Sequence, residues 1–84
     1  MNKTKPYIKR MYLIRMLNQF EGRSYSLGVY TSLRKAKKAG AKEYEWRGGK
    51  CTPFIEVYKV NTKTPVHSYI VPETECQEIL GKEV

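Results

Sequence analysis

Aspartate is absent from this 84-residue chain, and all eight acids are glutamate. Metal-dependent nucleases and phosphoryl-transfer sites hold their cations with clustered carboxylates. Here Glu43 and Glu45 are two apart on a helical pattern and diverge, and Glu56 stands beside Lys59 with no second acid near it. There is one histidine and there are two cysteines, Cys51 and Cys76, with no C-x-x-C. That leaves no standard zinc spacing, and two ordinary thiols in a reducing compartment are expected. Neither G-x-x-x-x-G-K-[ST] nor G-x-G-x-x-G occurs, and Gly48-Gly49-Lys50 reads as the tail of a helix cap. Ser68 adjoins His67, but neighbours on a strand point to opposite faces, so they make no catalytic pair. No apolar run approaches the roughly 18 residues of a membrane span. The run Met11–Leu17 is interrupted by Arg15 and reads as a strand rather than the core of a signal peptide. These absences exclude the familiar enzyme classes. They leave the expectation of a soluble, cytoplasmic, non-enzymatic protein with no cofactor, no metal, no membrane partner and no small-molecule substrate.

What the chain has in excess is positive charge. Sixteen Lys and Arg against eight Glu give +8. Residues 1–50 carry 13 bases and 3 acids, and residues 51–84 carry 3 bases and 5 acids. A surplus of this size bears on partners, and points to nucleic acid or an acidic protein surface. The hydrophobic fraction of 40% and seven tyrosines argue for a folded chain, and the length suits one domain over residues 1–84.

Residues 1–6 are polar and expected to be loose. Residues 7–19 alternate with apolar side chains on both faces, as in a central strand. Residues 20–24 form a turn with Gly22 free to take positive φ. Tyr25, Leu27 and Val29 share one face of a second strand over 25–30, and Gly28 marks a bulge or a close approach. Thr31 or Ser32 caps a helix whose core stripe is Leu33, Ala36, Gly40 and Tyr44, ended by Gly48-Gly49. Strands follow at 53–61 and 66–71, joined by a turn at 61–65. Pro72 stops the last one, and residues 73–80 make a short helix with Cys76, Ile79 and Leu80 inward, within an acidic segment over 73–84. The order β-β-α-β-β predicts an α+β fold, one main helix on one face of a four-stranded antiparallel sheet.

The helix places its charges against its own dipole. A helix N-terminus favours acids and its C-terminus favours bases. Here Arg34 and Lys35 occupy the first turn, and Glu43 and Glu45 come late. Arg34, Lys38 and Lys42 also stack at i, i+4 and i+8, which costs roughly 0.2–0.5 kcal/mol per like-charged pair. An anion bound near Thr31–Lys35 would turn that cost into affinity. A glutamate elsewhere in the chain, Glu21 or one from the C-terminal segment folding over the helix, would do so internally. The anion-binding candidates are therefore Arg34, Lys35, Lys38 and Lys42, with Arg10, Arg15 and Arg23 from the strands. Tyr30, Tyr58 and Trp46 are the candidate stacking or interface aromatics.

From Met11–Leu17 through the helix ending near Trp46 to Pro53–Val60, the order and spacing resemble small phage-encoded host-takeover proteins such as the phage T7 inhibitor of bacterial RNA polymerase. The resemblance spans about residues 11–61 and implies a protein that inhibits a host enzyme by binding it; it carries over no functional residue. The piece Leu27–Ala39 (LGVYTSLRKAKKA) also resembles the end of plant AP2-type DNA-binding domains, which place three strands before their helix where this chain has two. Two expectations result: a phage or bacterial protein that binds nucleic acid or a nucleoprotein complex through a basic helix face, or a phage-type inhibitor that docks that face on an acidic surface of a host polymerase, nuclease or defence protein.

Overall fold

The structure, a computed structural model, describes residues 10–82. The loose start expected over residues 1–6 lies outside the described residues, as do residues 7–9 of the first strand and residues 83–84 of the acidic segment. Six elements follow in order: β1 (Arg10–Asn18), β2 (Arg23–Tyr30), α1 (Leu33–Trp46), β3 (Cys51–Lys59), β4 (His67–Ile70) and α2 (Glu73–Lys82). The sheet is antiparallel in the order β2-β1-β3-β4. The expected α+β architecture is the observed one, with β1 in the centre.

The β1–β2 turn is built by Asn18. Its side-chain oxygen accepts from the amides of Phe20 and Glu21, at 3.0 and 3.2 Å, and its carbonyl accepts from the Gly22 amide at 2.8 Å. Gly22 has φ +68°, a conformation that suits glycine. Beyond the turn the register runs from Asn18↔Arg23 to Tyr12↔Tyr30, with a bulge between Ile14 and Arg15 that leaves Leu27 without its own partner. The bulge shifts the alternation of β2. Tyr25 and Leu27 pack on the core, but so does Tyr30, while Val29 turns to the opposite face and is 60% exposed. The expected grouping of Val29 with Tyr25 and Leu27 is thus corrected by one extra residue.

β3 begins two residues earlier than its proline suggests. Pro53 lies inside the strand, opposite Met16. Its carbonyl accepts from the Val71 amide at 3.0 Å, just past β4's last rung, Phe54↔Ile70. Nitrogen and carbonyl of one strand residue face the same side, so the missing N–H points past the end of β4 and the central β1–β3 ladder loses no bond.

Ser32 caps α1, its hydroxyl accepting from the Lys35 amide at 3.3 Å. At the other end Gly48 and Gly49 both take positive φ and return their amides to Glu45 and Tyr44. The core lies between this helix and one face of the sheet. Ile14 and Met16 from β1, Cys51, Pro53, Ile55 and Val57 from β3, and Ala36, Gly40, Ala41 and Tyr44 from α1 are buried there, closed by Val71 and Cys76. α2 runs back along α1. Its start lies by Tyr44, whose phenol is raised by burial and then by the neighbouring Glu73, and its end shares a groove with Leu33 and Arg34. Both helices therefore cover the same face of the sheet. The opposite face is covered by no helix among the described residues.

A Cβ added at Gly40 would stand 2.8 Å from Pro53 Cβ and 3.2 Å from its Cγ. Alanine ordinarily gains about 1 kcal/mol over glycine in a helix, but overpacking costs about 1–3 kcal/mol. Gly40→Ala is expected to lose up to about 2 kcal/mol in urea unfolding. Gly81→Ala, where nothing lies within 4 Å of the added methyl, is expected to gain up to about 1 kcal/mol. Equal effects at the two positions would contradict the close contact.

Candidate functional site

The seven candidate cations fall in different parts of the molecule. Arg34, Lys35 and Lys42 are exposed on α1, and Lys38 is half-buried where α1 meets α2. Arg10 sits at the start of β1, on the helix side of the sheet. Arg15 is on the opposite face, its guanidinium donating to Ser24 Oγ at 3.0 Å. Arg23 is at the far end of the molecule, lining a cavity with Trp46. The three aromatics are equally scattered. Tyr30 packs against the core, Tyr58 is paired opposite Met11 on the uncovered face, and Trp46 is 79% exposed at the C-terminal end of α1.

A coherent basic surface does form at the N-terminal end of α1. Arg10 and Lys59 are register partners on the two central strands. The alternation that buries Cys51, Pro53, Ile55 and Val57 places Lys59 on the helix side. With His67, Tyr12, Tyr69 and Leu33 they line a cavity of about 460 Å³. His67 and Tyr69 meet edge to face, with centroids 5.5 Å apart. A second concavity, about 540 Å³, runs between the helices and is lined by Arg34, Lys37, Lys38 and Lys82 with Ile79 and Glu75. Leu33 belongs to both, so the two adjoin at the first residue of α1. Among the described residues Glu75 is the one acid in either lining, and it is engaged by Lys37 at 2.6 Å. Lys37 Nζ also lies 6.0 Å from the Tyr69 ring centroid. Burial raises the Tyr69 phenol above its ordinary range, against the opposing charge of Lys37.

The ion pair Lys37–Glu75 bears on the reversed helix charges. The C-terminal segment does fold over α1 and supplies an acid, but to Lys37 rather than to the first turn. α1 has no acid in its first turn and no base in its last. The C-terminal end is settled differently. Glu43 accepts from the Tyr25 hydroxyl at 2.7 Å and from Arg47 Nε at 3.1 Å, and the Arg47 guanidinium lies 5.3 Å from the Tyr25 ring centroid. This cluster borders the cavity of about 590 Å³ that also holds Arg23, Lys50, Glu21 and Trp46.

Cys51 and Cys76 are free and buried, and burial raises the Cys76 thiol to about 11, which keeps it protonated and inert. His67 is exposed and pairs with Val57, six residues along β3 from Cys51. That is about 20 Å of strand, far outside the reach of a Cys–His dyad. No three His, Cys or Glu side chains come together as a metal site among the described residues. No helix among them is long and apolar enough to cross a membrane. The arrangement at the head of α1 offers cations beside aromatic rings, which suits the holding of an anion.

Lys37 and Lys82 are absent from the sequence-derived candidates, where Lys59 enters only as a strand base and His67 only as a neighbour of Ser68. Lys59 was findable, since the alternation Cys51–Pro53–Ile55–Val57 carries it to the core side. His67 and Lys82 depend on the β3–β4 register and on α2 reversing along α1, which no local pattern states. No protein-family model matches the chain, nor does any curated protein or solved structure.

The Tyr25–Glu43–Arg47 cluster predicts stability losses at both ends of the pH scale. The Tyr25 hydrogen bond, then Arg47, holds the Glu43 carboxyl below its ordinary 4.5, so its contribution is present above that value and lost as pH falls through the lowered one. Burial, then the bond to Glu43, raises Tyr25 to about 12, so its contribution is full below 10 and lost between 10 and about 12. Absorbance titration of the phenols should show one group ionising near pH 12 that is absent from Tyr25→Phe. The same substitution should return the Glu43 carboxyl, followed by NMR, toward 4.5.

Proposed function

We infer that the chain is a non-enzymatic binding protein that takes a nucleic acid, or the nucleic acid of a nucleoprotein complex, on the basic surface at the head of α1. The observation that carries this is the pair of concavities meeting at Leu33, with Arg10, Lys59 and His67 on one side and Arg34, Lys37, Lys38 and Lys82 on the other. Cations spaced across two adjoining hollows suit successive phosphates, and Tyr12 and Tyr69 offer ring surface between them for a base. The N-terminal dipole of α1 adds to the attraction for an anion. Lys35 and Lys42, exposed on the same helix, extend the positive surface toward Trp46.

A second reading has one observation of its own. Trp46 stands 79% exposed above a cavity flanked by Arg23, Arg47 and Lys50. Tryptophan and arginine are the residues most enriched at protein-binding hot spots. A phage-type inhibitor docking on the acidic surface of a host enzyme would use this end.

Fluorescence polarisation with labelled single- and double-stranded DNA and RNA, between about 50 and 200 mM salt, separates the two. The nucleic-acid reading expects binding that persists at the higher salt, with a steep log–log slope. Arg10→Glu with Lys59→Glu is expected to weaken it at least about tenfold, since each charge reversal replaces a phosphate contact by repulsion, whereas Trp46→Ala leaves it unchanged. Binding that vanishes by 200 mM and ignores the Arg10 and Lys59 changes would overturn that reading. Capture of an acidic enzyme that requires Trp46 would establish the other.

A further inference from the structure

The sheet face that neither helix covers is the largest feature the proposed nucleic-acid surface leaves unused. Register partners share a face, and Leu13 is paired with both Val29 and Glu56, Arg15 with Phe54, and Phe54 with Ile70. These side chains alternate with the buried set of β1 and β3, and none of them belongs to the core. Val29 is 60% and Ile70 53% exposed. The result is an apolar band, Val29–Leu13 and Phe54–Ile70, crossing all four strands, with Met11 and Leu17 at its ends and Ser24, Ser26, Thr52, Tyr58 and Ser68 beside it.

Its charge is unlike that of the rest of the chain. The protein carries +8 overall, but among the described residues the strands of this face include one cation, Arg15, and one anion, Glu56. Among the described residues the two charges of this face cancel, so it has no net charge to attract a strongly charged partner. The two charges sit on neighbouring strands, since Arg15 pairs with Phe54 and Glu56 lies two residues further along β3, opposite Leu13. A twofold axis in the plane of contact, passing midway between them, lays each copy's Arg15 over the other copy's Glu56. That is the self-complementarity an isologous interface requires. It also turns the strands of the two copies steeply across each other, as in the orthogonal class of sheet packing.

We propose that two copies of this chain pack through this face into a symmetric dimer, with Arg15 and Glu56 exchanging reciprocal ion pairs inside an apolar contact. Three strands of eight or nine residues and a fourth of four, about 4.8 Å apart and rising about 3.3 Å per residue, present roughly 475 Å² in projection. Standing side chains expose more than their projection, and the contact stays at the small end of the interface range, below the roughly 800 Å² per partner of a standard one, which suits a dimer that forms toward the upper end of the concentrations below. The pairing leaves the basic heads of both α1 helices outside the contact, so it does not depend on the nucleic-acid reading.

Sedimentation velocity on the full chain without nucleic acid, from about 1 μM to about 1 mM, tests this. The wild-type chain is expected to dimerise. Arg15→Glu and Glu56→Arg should each raise the dimer dissociation constant at least about tenfold, because each sets like charges face to face twice per dimer. The double variant, with the charges exchanged, should regain the wild-type constant. Phe54→Thr, at the middle of the face, should also weaken the dimer, and Arg10→Glu should not. Urea unfolding of each variant confirms that it is folded; where a charge variant is not, Phe54→Thr decides. A monomer throughout the range, or a dimer indifferent to these changes, overturns the proposal. So does a folded double variant that fails to recover.

Discussion

Gly40 of α1 lies directly against Pro53 of β3, so closely that a methyl group on Gly40 would stand 2.8 Å from the proline Cβ. That contact fixes the height of the helix above the sheet. It lets Ile14, Ile55 and Val57 bury fully or nearly so beneath a helix face made of alanine and glycine. Because β3 is also the strand that receives Val71 and pairs with β4, the same contact seats the return of the chain into α2. The head of α1 is thereby held over Arg10 and Lys59, and the candidate surface is a consequence of where the helix is pinned.

The reversed charges of α1 are only partly answered within the chain. Tyr25 and Arg47 hold Glu43 at one end, and Glu75 answers Lys37 in the middle. The first turn keeps Arg34 and Lys35 against a positive dipole. In a domain of this size, with about 5–8 kcal/mol of stability in hand, a local cost of about 1 kcal/mol is a sizeable share of the total. An anion bound at that end would offset it.

Most of the architecture was legible from periodicity and from caps. The central position of β1 followed from apolar residues on both its faces, the end of α1 from Gly48-Gly49, and the inward stripe of α2 from Cys76, Ile79 and Leu80. Val29 was misplaced because one inserted residue inverts a two-residue period, and Gly28 signalled the bulge without saying which neighbours it would turn. The surface at the head of α1 was legible in part. Arg34, Lys35 and Lys38 stood out on a single helix, but Lys59, His67 and Lys82 join them only through strand register and the reversal of α2. Arg15, Arg23, Tyr58 and Trp46 carry the same chemistry as the rest, and only the folded arrangement sends them to other surfaces.

The bulge in β2 has a further effect, at the margin of the sheet. β2 and β4 are the outer strands, and neither offers a long regular row of free backbone groups. One is interrupted at Leu27 and the other is four residues long. Both are poor templates for a strand from another molecule. A chain with an uncovered apolar sheet face runs the hazard of stacking and lateral growth together, which is how fibrils form. Blunted margins remove lateral growth, so any association through the face ends as a finite particle.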